Sequence, residues 1–263
     1  MEKIMRKPAV FLAHGSPMSA LGGDAHAAAL GGFGDKHPDA RGILMVSAHW
    51  QVSRPLRVTG WDHMPLLYDF GGFPDELYRI QYPSPGDPGL AARIAGVLQA
   101  GDQDATFDTV RGLDHGAWVP ALLAWPEAKI PVLEVSMPFL DPPQLFQLGR
   151  ALRPLRDDGV LVVGSGGIVH NLSRVHFADK DAPVDEWAAE FDAWVAEQVE
   201  KREIGKLYEY RRSAPHGRLS APTTEHFDPL FVVLGAAWPD DGLETIYAGF
   251  HYGNLSMRCF SLG

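Results

Sequence analysis

Short apolar runs rich in β-branched residues alternate along the chain with longer stretches in which apolar positions recur every three or four residues. The runs are Ala9-Val10-Phe11-Leu12, Ile43-Leu44-Met45-Val46, Val132-Leu133-Glu134-Val135 and Val160-Leu161-Val162-Val163. Continuous rather than alternating apolarity is what a strand covered on both faces requires. Between the second and third runs, Pro88 to Leu98 places Leu90, Ile94, Val97 and Leu98 at helical spacing, with Asp87 as N-cap and Pro88 at the first helical position. A second helix is predicted from Asp141-Pro142 through Leu145, Leu148 and Leu152 as far as Pro154. A third, Val184 to Glu200, sets Trp187, Phe191, Trp194 and Val195 on one stripe, and a last begins near Asp228-Pro229 and carries Leu230, Val233 and Leu234. The alternation predicts an α/β fold. A single catalytic domain spanning 1–263 is expected, built on a central, mixed but mostly parallel sheet with helices on both faces, of the phosphorylase/hydrolase-like kind.

The segment from Leu66 to Pro88 fits neither period, yet it carries Tyr68, Phe70, Phe73, Tyr78 and Tyr82. Loops of that length are commonly functional, so it is expected to form a wall or lid. Composition narrows the partners. Twenty-three Lys and Arg against 33 Asp and Glu give a net charge of −10, and no basic block interrupts the balance. Nucleic acid and anionic membranes are therefore poor partners, and a small ligand is expected. Cys259 is the one cysteine, which forbids an intrachain disulfide and a cysteine zinc cage and fits a reducing compartment. No apolar run approaches about 20 residues, and the segment from Met1 to Lys7 has no signal-peptide core. The expectation is a cytoplasmic enzyme, monomeric or a small homo-oligomer.

Eleven histidines carry the chemistry. Ligands in open α/β sheets bind outside the carboxyl ends of the strands. His14 and His49 each follow a predicted strand, and His170 trails Val160–Val163 through Gly164-Ser165-Gly166-Gly167. His115 and His226 stand at loop-to-helix junctions that can face the same rim. His176, six residues past His170, can approach it; His26, His37, His63, His216 and His251 are expected elsewhere. A divalent ion held by three such imidazoles with open positions opposite suits ferrous iron or zinc. Glu225 and Asp114 are available either as ligands or as acceptors that fix a ring tautomer.

Seven motifs then align in order: His14-Gly15-Ser16-Pro17, Ser47-Ala48-His49-Trp50, Tyr68-Asp69-Phe70-Gly71-Gly72-Phe73-Pro74, Gly112 to Trp118, Gly164 to Asn171, Glu225-His226-Phe227-Asp228-Pro229 and Gly253 to Met257. Together they resemble the class III extradiol ring-cleaving dioxygenases, in particular the single-chain branch that acts on DOPA. The resemblance implies a non-haem iron(II) site, with zinc able to occupy it, that uses O2 to open a catechol beside its two hydroxyls and yields a muconic semialdehyde. It implies His14, His49 and His226 as metal ligands, and His170 as the acid/base residue, close enough to count as a fourth ligand with zinc. It also implies that His115 binds or protonates the substrate. Where two-subunit members of the superfamily complete the triad with glutamate, this branch uses histidine, so Glu225 beside His226 remains an alternative ligand. Tyr68, Phe70, Phe73 and Trp118 are candidate walls for the ring, and Arg54, Arg57 or Arg79 a candidate partner for a substrate carboxylate. The competing reading is a zinc-dependent hydrolase using the same cluster. A serine hydrolase is disfavoured because Val163-Gly164-Ser165-Gly166-Gly167 lacks the first glycine of a nucleophile elbow.

Overall fold

A computed structural model of the chain describes residues 5–263. Six strands form one sheet: β1 (Ala9–Ala13), β2 (Gly42–Ser47), β3 (Val132–Glu134), β4 (Val160–Gly166), β5 (Leu243–Tyr247) and β6 (Cys259–Leu262), in the order β3-β2-β4-β1-β6-β5. The first four run parallel to one another; β6 is antiparallel to β1, and β5 to β6. The four apolar runs are thus the four parallel strands. The two antiparallel strands on the β1 side were not predicted, because β5 is largely exposed and β6 is only four residues long.

The main helices are α1 (Ala25–Asp35), α2 (Pro88–Ala100), α3 (His115–Ala124), α4 (Pro142–Asp157), α5 (Glu186–Glu200) and α6 (Pro229–Ala236). Alternate strand residues point to opposite faces. Phe11, Leu44 and Val162 enter one core with α2, α4, α5 and α6, while Val10, Ile43 and Val163 enter the other with α1 and α3. The sheet is therefore covered on both sides, which is why its central strands read as unbroken apolar runs.

Asp87 caps α2 by accepting the Leu90 N–H at 2.8 Å, and Asp141 forms a reciprocal capping box with Gln144. Helix α4 continues past Pro154, where the pattern ended it. The reason is tertiary. Leu155 and Arg156 are fully buried, and the Arg156 guanidinium donates to the carbonyls of Lys7, Ala236 and Leu262 and pairs with Asp241 at 2.6 Å. Those charge-assisted bonds offset the one helix bond a proline removes. Helix α5 starts at Glu186, two residues later than predicted. Among the described residues no helix is long and apolar enough to cross a membrane.

Candidate metal centre

The end of β4 is the hub of the site. Its neighbour β2 hands over Ala48, whose N–H donates to the Ser165 carbonyl at 3.0 Å; β1 hands over His14, whose N–H donates to the Gly166 carbonyl at 3.3 Å. The loop before α6 closes the third side, with the Gly167 N–H donating to the His226 carbonyl at 2.8 Å. Three segments, carrying His14, His49 and His226, are thereby tied to three consecutive residues at and just past the end of β4. Glycine at 166 is obligatory, since a Cβ there would lie 2.1 Å from the His226 carbonyl oxygen. Gly15, at φ +64°, turns the chain away after His14, and a Cβ would meet the Met257 methyl at 2.6 Å.

The rings converge. Ligating atoms of His14, His49 and His226 lie within 4.8 Å of one another, and His14 Nε2 is 3.1 Å from His49 Nε2. Two nitrogens each about 2.1 Å from a common ion stand roughly 3.0–3.4 Å apart, so this spacing fits shared coordination. The tautomers agree with it. The Ser165 hydroxyl donates to the Gly116 carbonyl, so its oxygen accepts from His14 Nδ1–H at 2.9 Å and the His14 Nε2 lone pair is left facing inward. His226 Nδ1 faces Glu225 Oε1 at 3.2 Å, and its buried Nε2 has no partner among the described residues. His49 Nδ1 stands 3.5 Å from Asp69 Oδ2. His14 and His226 therefore each have an oxygen acceptor behind the ring and a nitrogen turned inward, and His49 has a carboxylate oxygen 3.5 Å behind it, the arrangement a cation requires. The donor set fits a borderline divalent metal.

Burial, followed by the neighbouring imidazoles, pushes His14 well below its ordinary value; burial with His115 and His226 pushes His49 down to about 3. Both are neutral at pH 7, the form that binds metal. His170 stacks on His226 with centroids 3.5 Å apart and planes within 9°, and burial with His226 holds it down at about 2 rather than near the ordinary histidine value. His115, the first residue of α3, rests on Asp69: one carboxylate oxygen accepts both its backbone N–H and its Nδ1 side at 2.9 Å. Against the burial that would raise it, the bonds and charge of His115 bring Asp69 to about 2. The His115 ring lies 4.1 Å from that of His49.

Residues 8–256 match the family described as the catalytic LigB subunit of aromatic ring-opening dioxygenase. The chain belongs to this family. It is 38% identical to a 4,5-DOPA dioxygenase extradiol of Beta vulgaris over 97% of this chain and 96% of that one, and 37% identical to the Escherichia coli protein of the same name over 98% and 95%. The crystal structure of an uncharacterized Escherichia coli protein superposes with a TM-score of 0.83 at 34% identity, covering 98% of this chain and all of that one. The chain is accordingly an aromatic ring-opening extradiol dioxygenase.

In this LigB-family site the five imidazoles open onto one cavity of about 330 Å³, walled by Phe70, Phe73, Leu172, Phe177 and Leu255. Phe70 and Phe73 belong to the aromatic excursion, which does supply a wall; Tyr68 and Trp118 pack behind Phe70 instead of lining the cavity. Several expectations are corrected. Asp114 holds none of the histidine rings: fully buried, it caps α3 and accepts from Ser47 and Arg111 at 2.7 and 2.9 Å. The acceptor role falls to Asp69, which the sequence offered only inside a motif. Ser165, weighed there only as a nucleophile, sets the His14 tautomer. His176 turns away to Asp185 at 3.4 Å. Arg54 and Arg57 bond to Gln103 and Asp108, and Arg79 is exposed; none lines the cavity.

Proposed function

We propose that the chain, acting as one catalytic domain over residues 1–263 in the cytoplasm, uses O2 to open a substituted catechol beside its hydroxyl pair, releasing a muconic semialdehyde. Iron(II) is the working ion, held by His14, His49 and His226, and zinc competes for the same imidazoles. DOPA, named for the relatives, is one candidate substrate. The observation that supports this reading is the inward convergence of three imidazole nitrogens, each ring with a side-chain oxygen behind it. When bound, the ion supplies Lewis acidity toward the catechol oxygens and an electron route from the ring to O2.

The protein's own groups do the rest. Phe70 and Phe73 present aromatic surface on which the catechol ring is held and from which water is excluded. His170, which lines the cavity and stacks on His226, takes the proton of an entering hydroxyl at its ring. The negative charge left on the substrate raises the proton affinity of the ring again, so the proton stays available for return. His115 is oriented by the Asp69 carboxylate, which receives its Nδ1–H and leaves Nε2 toward the cavity for the substrate. Glu225 serves behind His226 as acceptor.

The test is anaerobic loading with iron(II), followed by air and a panel of catechols. A yellow product formed with O2 uptake is expected. Hydrolysis of an ester or amide with zinc, and no change in any catechol, would establish the hydrolase reading instead.

A further inference from the structure

The cavity that holds the imidazoles is lopsided in its chemistry. Beyond the histidines and the short turn Gly15-Ser16, its wall and mouth are Pro17, Phe70, Phe73, Leu172, Phe177 and Leu255, and the one charged side chain among the described residues lining it is the carboxylate of Glu225. Leu172 and Phe177 are 54% and 61% exposed at the rim, on the loop that follows His170. Large apolar side chains held in water at the mouth of a concave site are a place for an apolar group to land. No Lys or Arg among the described residues lines the cavity. Arg54 and Arg57 are spent on Gln103 and Asp108, Arg111 lies against Trp50 and Asp114, and Arg174, on the same loop as Leu172, does not line it.

On the strength of the catechol reading above, we propose that this chain selects small catechols bearing an uncharged, apolar substituent, with Leu172 and Phe177 as the residues that determine the choice. A carboxylate on the substituent would give up part of its water against Leu172 and Phe177 and would find Glu225, of like charge, in place of a cation. An alkyl group in the same position loses only unfavourable contact with water. The volume of about 330 Å³ sits at the low end for ligand cavities, which limits the substrate to one ring with a short chain. DOPA, with its carboxylate and ammonium, is by this argument a poor fit to this chain even though relatives carry its name.

The experiment compares propylcatechol with dihydroxyphenylpropionate, which differ only by a terminal methyl against a carboxylate, and adds DOPA. The iron(II)-loaded protein is used, with kcat/KM read in air and Kd read anaerobically. Propylcatechol is expected to lead both acids by at least about tenfold in both measurements. Leu172→Arg and Phe177→Arg, at exposed positions the fold tolerates, are each expected to narrow that gap to about threefold by improving the acids. Equal or better binding and turnover of either acid by the parent would overturn the proposal while leaving ring opening intact. Failure of all three catechols to turn over would strike the ring-opening reading itself, and this proposal with it.

Discussion

Ser165→Ala removes one oxygen from the middle of the site and nothing else. In the parent, that oxygen accepts from His14 Nδ1–H at 2.9 Å while its proton goes to the Gly116 carbonyl. The serine is fully buried on β4, so no water replaces it without a cavity to enter. Leaving a buried imidazole N–H without an acceptor costs about 1–3 kcal/mol. His14 can escape that cost by moving its proton to Nε2, but this points a donor at the position a metal needs as an acceptor. Either way affinity falls, by about 10- to 100-fold on the usual cost of losing such a supporting bond. The assay is a competition titration of zinc or iron(II) against a chromophoric chelator, with thermal unfolding of the metal-free protein run alongside. The variant should remain folded, losing about 1–3 kcal/mol of stability. Metal affinity within twofold of the parent, in a folded variant, would refute the tautomer argument and the claim that Ser165 organises His14.

Three further outcomes are expected. His170→Ala should keep most of its metal by elemental analysis yet lose about 100-fold or more in ring opening, read as O2 uptake; near-normal turnover would remove its proton-handling role. Asp69→Asn should lower kcat more than it weakens metal binding, because it discharges the support of His115 but touches His49 only at 3.5 Å; a loss confined to metal content would place Asp69 with the ligands instead. The metal-free protein should lose stability as pH falls from about 6.5 toward 3. Below 6.5 the unfolded chain takes protons on its histidines, whereas buried His49, His170 and His26, held at about 3, 2 and 4, and His14, also held low, do not. Each contributes up to about 1.4 kcal/mol per pH unit in that window. Asp228, pushed up to about 7 by burial, and Glu134, raised by burial beside Asp114, act with the opposite sign but are two against four. Urea unfolding at stepped pH checks this, and stability that is flat or rises on acidification would contradict it.

Strands β1 to β4 and helices α2, α4, α5 and α6 were legible because each writes its period into adjacent residues: unbroken apolarity for a doubly covered strand, three-and-four spacing for a helix, and in α2, α4 and α6 Asp-Pro at the start. Strands β5 and β6 were not, since an exposed sequence such as Leu243 to Tyr247 becomes a strand only when β6 lies beside it. The five site histidines were legible by a cruder rule, their placement at strand ends and helix starts.

Their sequence positions determined that imidazoles would stand just past strand ends and at helix starts, and the parallel adjacency of β2, β4 and β1 brought them to one rim. Glu225 behind its neighbour His226 was on offer in the sequence, but the groups behind His14 and His115 were decided only in three dimensions. Asp69 and His115 are 46 residues apart, and Ser165 and His14 are 151 apart. A hydrogen bond depends on distance and direction between atoms, and neither is encoded in residues that far apart until packing against β4 fixes both.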